Sequence, residues 1–137
     1  MTVGGVPIRR VVRTAGAPEA IGPYSQAIVV GEYLYCSGQI GLDPSTGEIV
    51  EGGFARQLRR VFENLGAILS AAGMVFGDIV KLNVYLDDLG NFSLLNEICL
   101  EYLADPPPAR AVVGVSGLPR GASVELDLIA VRADPGK

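Results

Sequence analysis

The run Asp78-Ile79-Val80-Lys81-Leu82-Asn83-Val84-Tyr85-Leu86-Asp87 alternates at every step from Val80 onward. Val80, Leu82, Val84 and Leu86 point one way; Lys81, Asn83 and Tyr85 point the other. A period of two predicts a strand with one face on a core and one face off it. The stretch before it has another period. From Gly53 to Ala72, the residues Phe54, Leu58, Val61, Phe62, Leu65, Ile68, Leu69 and Ala72 recur at three- and four-residue steps. Arg56, Arg59, Arg60, Glu63 and Asn64 fall mostly off that stripe. This predicts an amphipathic helix whose arginines form a solvated face. Gly73 is its stop, because glycine takes the left-handed conformation just past a last turn.

The neighbouring segments extend the pattern in both directions. Asn91 to Leu103 reads as a second helix, with Phe92, Leu95, Ile98, Cys99 and Tyr102 inward. Pro106-Pro107-Pro108 ends it and sends an extended chain into a strand from Arg110 to Ser116. Ser123 to Arg132 is the last strand. Upstream, Gln26 to Val30 and Tyr33 to Ser37 form a hairpin through Gly31-Glu32, where a leading glycine suits a type II′ turn. Leu42-Asp43-Pro44-Ser45-Thr46-Gly47 is a turn cluster. Ile8 to Arg13 is a short strand whose alternation is blurred by Arg9 and Arg10. No linker or repeat divides the chain, so residues 1–137 are expected to be one domain. The order β-β-α-β-α-β-β, with two helices, predicts a two-layer α+β architecture. Two helices cover one face of a sheet, and the other meets water or another subunit. In the last strand Val124, Leu126, Leu128 and Ala130 make one face, and Ser123, Glu125, Asp127, Ile129 and Val131 the other. That second, mixed face suits a symmetric oligomer with polar sites in its interface.

Composition narrows the chemistry. The 137 residues include no histidine, which excludes Ser-His-Asp and Cys-His nucleophile systems and the His-containing zinc site of nucleobase deaminases. Eleven Lys and Arg against fifteen Asp and Glu give a net charge of −4, and no basic stripe offers a footprint for a phosphate backbone. Charged residues are only 19%, below the ~25% usual for soluble domains, which reflects either surface covered by a partner or the scatter of a small count. Two cysteines, Cys36 and Cys99, sit in apolar patterns and read as buried, inert thiols in a reducing interior. The start Met1-Thr2-Val3-Gly4-Gly5 opens no apolar leader, and no run reaches the ~18 apolar residues of a membrane span. The expectation is a soluble, cytoplasmic protein.

Few side chains remain to carry chemistry. Arg110 opens a strand after the proline triplet. Its guanidinium fork matches a carboxylate with two parallel hydrogen bonds, or else it is an edge-strand arginine paired with Glu125 or Asp127. Glu125, mid-strand among apolar neighbours, either holds and activates a water or is a solvated carboxylate. Tyr24, held by Gly22-Pro23, is a pocket wall with a phenolic donor or ordinary turn packing. Ser37-Gly38 lets a ligand approach the backbone beside a hydroxyl, or simply ends a strand. Asn96 is an amide on a helix, with solvation as the plain alternative.

The ordered set Ala17-Pro18-Glu19-Ala20-Ile21-Gly22-Pro23-Tyr24-Ser25-Gln26, Ser37-Gly38-Gln39-Ile40, Asp78-Ile79-Val80-Lys81, Asp88-Leu89-Gly90-Asn91-Phe92 with Asn96, Pro108-Ala109-Arg110-Ala111, Leu118-Pro119-Arg120-Gly121 and Val124-Glu125-Leu126 resembles the RidA/YjgF family of reactive intermediate deaminases over nearly the whole chain. The resemblance implies a chorismate-mutase-like subunit, a mixed sheet with two helices on one face, assembled as a homotrimer with active sites between subunits. It implies hydrolysis of 2-imino acids and their enamines (2-aminoacrylate, 2-iminopropanoate, 2-iminobutanoate) to 2-keto acids and ammonia, with no metal or cofactor. By this similarity Arg110 clamps the substrate carboxylate and Glu125 places or polarises water. Tyr24, Ser37, Gly38, Asn96 and the backbone N–H of Val112 shape the pocket. Val112 stands where a cysteine is frequent in the family, and Gly114 where a longer Glu or Gln is common. Two other functions compete: a non-catalytic module that binds small carboxylates through Arg110, and an RNA-cleaving translation inhibitor. The acidic balance and absent histidine weigh against the second.

Overall fold

Residues 2–133 are described in the computed structural model, so both ends of the expected 1–137 domain lie outside them. The strands are β1 (Thr2–Val3), β2 (Val6–Pro7), β3 (Arg9–Val12), β4 (Ala27–Val30), β5 (Tyr33–Gln39), β6 (Ile79–Leu86), β7 (Ala109–Gly114) and β8 (Val124–Val131). The helices are α1 (Phe54–Ala71) and α2 (Phe92–Tyr102). β1 and β2 pair as a small two-stranded sheet that the sequence pattern does not announce. The other six strands form one mixed sheet in the order β3-β4-β5-β8-β6-β7, antiparallel except for β6 beside β7. The β4–β5 hairpin turns at Gly31 with φ +59, the left-handed first position of the expected turn.

Both helices lie on one face of this sheet. Leu58, Val61, Phe62, Leu65, Ile68 and Leu69 of α1 join Leu82, Val84 and Leu86 of β6 and Val124, Leu126, Leu128 and Ala130 of β8 in one core. Each of these side chains larger than alanine contributes about 1.5–3 kcal/mol relative to exposure, which is why the two periodicities decide the layers. Phe62 stacks on Tyr102 at 4.6 Å between ring centroids and meets Phe76 edge-on at 6.1 Å, locking α1 to α2. Past α1, Gly73 takes φ +74, and the Met74 N–H donates to the Leu69 carbonyl at 2.8 Å, the expected helix stop.

Three side-chain placements differ from expectation. Asn64 is completely buried on α1: its Nδ2 donates to the carbonyls of Leu42 (3.0 Å) and Ile40 (3.4 Å), and its Oδ1 accepts from Arg60 Nε (3.0 Å). It belongs to the core because the loop before α1 brings carbonyls that need a donor. Val80 is 46% exposed while Ile79 is buried. The β6–β8 register shifts between Ile79 and Lys81, and this irregularity breaks the alternation and hands the inward position to Ile79. Phe92 is exposed rather than inward, because the first turn of α2 overhangs β7 and presents the ring to Arg110.

The opposite sheet face is uncovered within the chain. Val11, Tyr33, Tyr35 and Val113 are each about half exposed there, next to the polar row Asn83, Tyr85, Glu125 and Asp127.

Candidate active site

The strap from Thr14 to Gln26 crosses the end of the β4–β5 hairpin. Gln26, buried, holds it: its Nε2 donates to the carbonyls of Pro18 (2.8 Å), Thr14 (3.1 Å) and Ala17 (3.3 Å), and its Oε1 accepts from the Thr14 N–H (2.8 Å). Ser37 adds a second tie, its Oγ donating to the Ser25 carbonyl at 2.6 Å. Its hydroxyl proton therefore serves the strap, and only its lone pairs remain. These bonds bring Tyr24 over the end of β5, where it lines a recess of about 120 Å³ together with Gly38, Glu125, Glu19 and Arg120.

Gly38 has a steric reason to be glycine. A Cβ there would overlap a carboxylate oxygen of Glu125 and lie 2.9 Å from its Cδ, so the missing side chain is the space Glu125 occupies. Burial pushes the Glu125 carboxyl above its ordinary pKa range, and the charge of Asp127 pushes it further. Asp127 is held on the same face by Asn83 Nδ2 (2.8 Å) and Tyr85 OH (2.9 Å), both neutral donors. The Tyr85 phenol, hydrogen-bonded to that carboxylate, is in turn raised.

Arg110 lies elsewhere. In the β6–β7 register it pairs with Leu82, whose other partner is Leu128, and it shares their helix-side face. Its Nη1 donates to Asn96 Oδ1 at 2.8 Å and its guanidinium carbon sits 5.5 Å from the Phe92 ring centroid. Glu125 pairs with Tyr85 on the opposite face, roughly 14 Å away by strand spacing. The pairing of Arg110 with Glu125 or Asp127 is therefore excluded, since the sheet separates them. Asn96 is neither solvated filler nor part of the recess: it aims Arg110. The guanidinium has five N–H donors, and Asn96 takes one, leaving a fork at the exposed edge.

Backbone donors flank that fork. The Val115 N–H donates to the Leu86 carbonyl at 2.8 Å. Along a parallel strand alternate residues take the same side, so the N–H groups of Arg110, Val112 and Gly114 point off the free edge of β7. The Val112 side chain packs against the core. At Gly114 a Cβ would lie 3.0 Å from Leu89 Cγ, so Leu89 fills the space a longer residue would need. Cys99, beside Arg110, is buried with its thiol raised by that burial, and Cys36 is pushed up to about 12 by burial and then by Asp127. Both are unreactive protonated thiols at neutral pH. Among the described residues no three His, Cys, Asp or Glu side chains gather as a metal-ligand set.

One chain thus presents two separate clusters on opposite faces of the sheet, an acidic recess around Glu125 and a cationic edge around Arg110. Glu19 and Arg120, which line the recess, and Gln26, which holds the strap beside it, were not among the expected site residues. Gln26 signals itself as an amide in an apolar strand, and Arg120 as the one charge in the Pro119-Arg120-Gly121 turn.

Known proteins share this arrangement of elements. The family model described as Endoribonuclease L-PSP matches residues 14–132. The human 2-iminobutanoate/2-iminopropanoate deaminase is 47% identical over 125 residues, covering 91% of each chain. RidA from an Antarctic Psychrobacter is 48% identical with a TM-score of 0.86, over 89% of this chain and 98% of its own. E. coli TdcF, crystallised with bound serine, is 39% identical with a TM-score of 0.84, over 90% and 99%. The expected resemblance holds in sequence and in fold, and the chain belongs to the endoribonuclease L-PSP family, which is the RidA/YjgF family.

Proposed function

We propose that this protein is a hydrolase that converts 2-imino acids and their enamine tautomers to 2-keto acids and ammonia. The observation that carries the reading is the recess itself. Glu125, with a raised pKa, is seated by Gly38 and faced by Tyr24 in a chain nearly half identical to a named imine deaminase. The carbon of an imine is already electrophilic, so the task is modest. Water adds to the C=N carbon as Glu125 takes one of its protons and passes it to the nitrogen, giving the carbinolamine; Glu125 then takes the hydroxyl proton and delivers it to the nitrogen, so that the C–N bond breaks, the C=O bond forms and ammonia leaves. A carboxylate whose proton affinity is raised toward neutrality is suited to both transfers. The preferred substrates are 2-aminoacrylate, 2-iminopropanoate and 2-iminobutanoate, small enough for the recess, and no cofactor is required by this chemistry.

The substrate carboxylate needs a cation, and Arg110 of the same chain faces the wrong side of the sheet. We infer a homotrimer of single-domain subunits in which Arg110, Asn96 and the Val112 N–H of one subunit close the recess formed by Tyr24, Ser37, Gly38 and Glu125 of the next. The half-exposed apolar side chains on the uncovered sheet face supply surface for that assembly. No helix of the described residues is long and apolar enough to cross a membrane, and the two free thiols suit the reducing cytoplasm.

The direct test uses a pyridoxal-phosphate dehydratase to generate 2-aminoacrylate or 2-iminobutanoate, with keto-acid release followed with and without this protein. No acceleration by wild type would sink the reading. Two variants sharpen it. Arg110→Ala is expected to lose about 10- to 100-fold in kcat/KM, mostly through KM, as one charge-assisted contact of ~1.5–3 kcal/mol disappears. Arg110→Lys should be impaired as well, since an ammonium cannot make the planar two-point contact. Gly38→Ala should keep its melting temperature near wild type yet lose roughly 100-fold in kcat, because the new methyl displaces Glu125. An unchanged kcat would mean that the carboxylate's seat is irrelevant. RNA cleavage is the outcome these clusters do not equip the protein for, and intact RNA after prolonged incubation is the expected control.

A further inference from the structure

Arg120 is the only non-glycine residue with positive φ among those described, at +56, and Gly121 follows at +67. A side-chain-bearing residue in that region is strained, and such strain persists where surrounding contacts over-determine it. Here the contacts are visible. Pro119 starts a tight turn, closed by the Ala122 N–H donating to the Pro119 carbonyl at 3.1 Å, and β8 begins two residues later, carrying Glu125. The Arg120 side chain lines the recess and reaches the 43–47 turn, where Nη1 donates to the exposed Gly47 carbonyl at 2.7 Å. Gly47 closes the Asp43–Gly47 turn, which Asp43 organises by accepting from the Ser45 N–H (2.8 Å) and Ser45 Oγ (2.7 Å). Leu42, at the base of that turn, lines the recess with Arg120 and Glu125.

We propose that Arg120 is a specificity-determining residue of this site: its side chain latches the 42–47 turn to the base of β8, and the latch sets the largest substrate side chain the recess accepts. The inference rests on the deaminase reading and adds what limits its substrates. The recess is small, about 120 Å³, and Arg120 and Leu42 stand together in its lining, so the spacing between them bears on how large a substrate side chain fits. Without the guanidinium the tip of the 42–47 turn loses this tie to the β8 side and the Arg120 side chain no longer lines the recess, so that wall opens while Asn64 still holds the Leu42 carbonyl.

The test measures kcat/KM on imines made in situ by an L-amino-acid oxidase from alanine and from leucine, for wild type, Arg120→Ala and Arg120→Gly. Wild type is expected to favour the alanine-derived imine. Both variants should shift the leucine-to-alanine ratio toward leucine by about tenfold, chiefly through a lower KM for the larger imine. Arg120→Gly, which relieves the left-handed strain, should melt above Arg120→Ala while showing the same ratio, and this separates side chain from backbone. Amide hydrogen exchange at 43–48 should speed up in both. An active wild type with an unchanged ratio in the variants overturns this inference alone. An inactive wild type overturns the deaminase reading and this inference with it.

Discussion

Glu125→Gln is expected to lower kcat for imine hydrolysis by about 10²–10⁴-fold with KM nearly unchanged, the range by which a positioned acid–base group accelerates a proton transfer. The amide keeps the shape that fits against Gly38 and cannot take a proton from water. In wild type, kcat/KM should fall as the pH drops through the raised pKa of Glu125, and the fall should come at higher pH than for an ordinary glutamate. The same shift has a stability consequence. A carboxyl whose pKa is higher folded than unfolded destabilises the fold once it ionises, so Glu125→Gln should melt above wild type at neutral pH. That advantage should vanish below the ordinary glutamate pKa, where both forms are neutral. Slower catalysis with a higher melting temperature separates a working carboxylate from a structural one. Mixing the impaired Arg110→Ala and Glu125→Gln chains after subunit exchange should raise activity, read at substrate well below KM, to about a quarter of wild type, since one in four interfaces of the proposed cyclic trimer then joins an intact arginine to an intact glutamate. Absence of any recovery, with exchange verified by mass, would place both groups in one chain's site or outside any site.

The second large effect concerns the core. Phe62→Ala should destabilise the fold by about 3–5 kcal/mol, because the ring is completely buried between Tyr102 and Phe76 and its loss leaves a cavity that two helices and a sheet cannot collapse into. For a domain of this length that corresponds to a fall in Tm of roughly 10–20 °C, measured at fixed protein concentration because assembly contributes. A fall of only a few degrees would mean that α1 and α2 repack without the ring. Activity at low temperature should be largely retained, since Phe62 lies on the helix side and the recess on the other.

How much of this was legible in the residues follows from the range of the forces. The α1 stripe and the β8 alternation were readable because burial repeats with the backbone's own period, and all eight named stripe residues of α1 are inside. Val80 failed because the register shift at Ile79–Lys81 is imposed by the partner strand β8. Asn64 failed because the carbonyls that need its amide come from residues 40 and 42, beyond the reach of a local pattern. The candidate site residues were named as a set only through the resemblance to a family, while Gln26 and Arg120 make their contacts with residues 8 to 73 positions away in sequence.

Residue order alone determined which faces are apolar, where α1 stops, that no imidazole chemistry is available, and which side chains are worth suspecting. Only the folded sheet decided that Arg110 and Glu125 stand back to back, that Gly38 is empty so that Glu125 can be present, and that Arg120 ties the turn at Gly47 to the base of β8. The reason is physical: periodicity reports the distance from a core, a one-body property of each residue. Whether two side chains meet depends on register and handedness, which exist only once strands distant in sequence have paired.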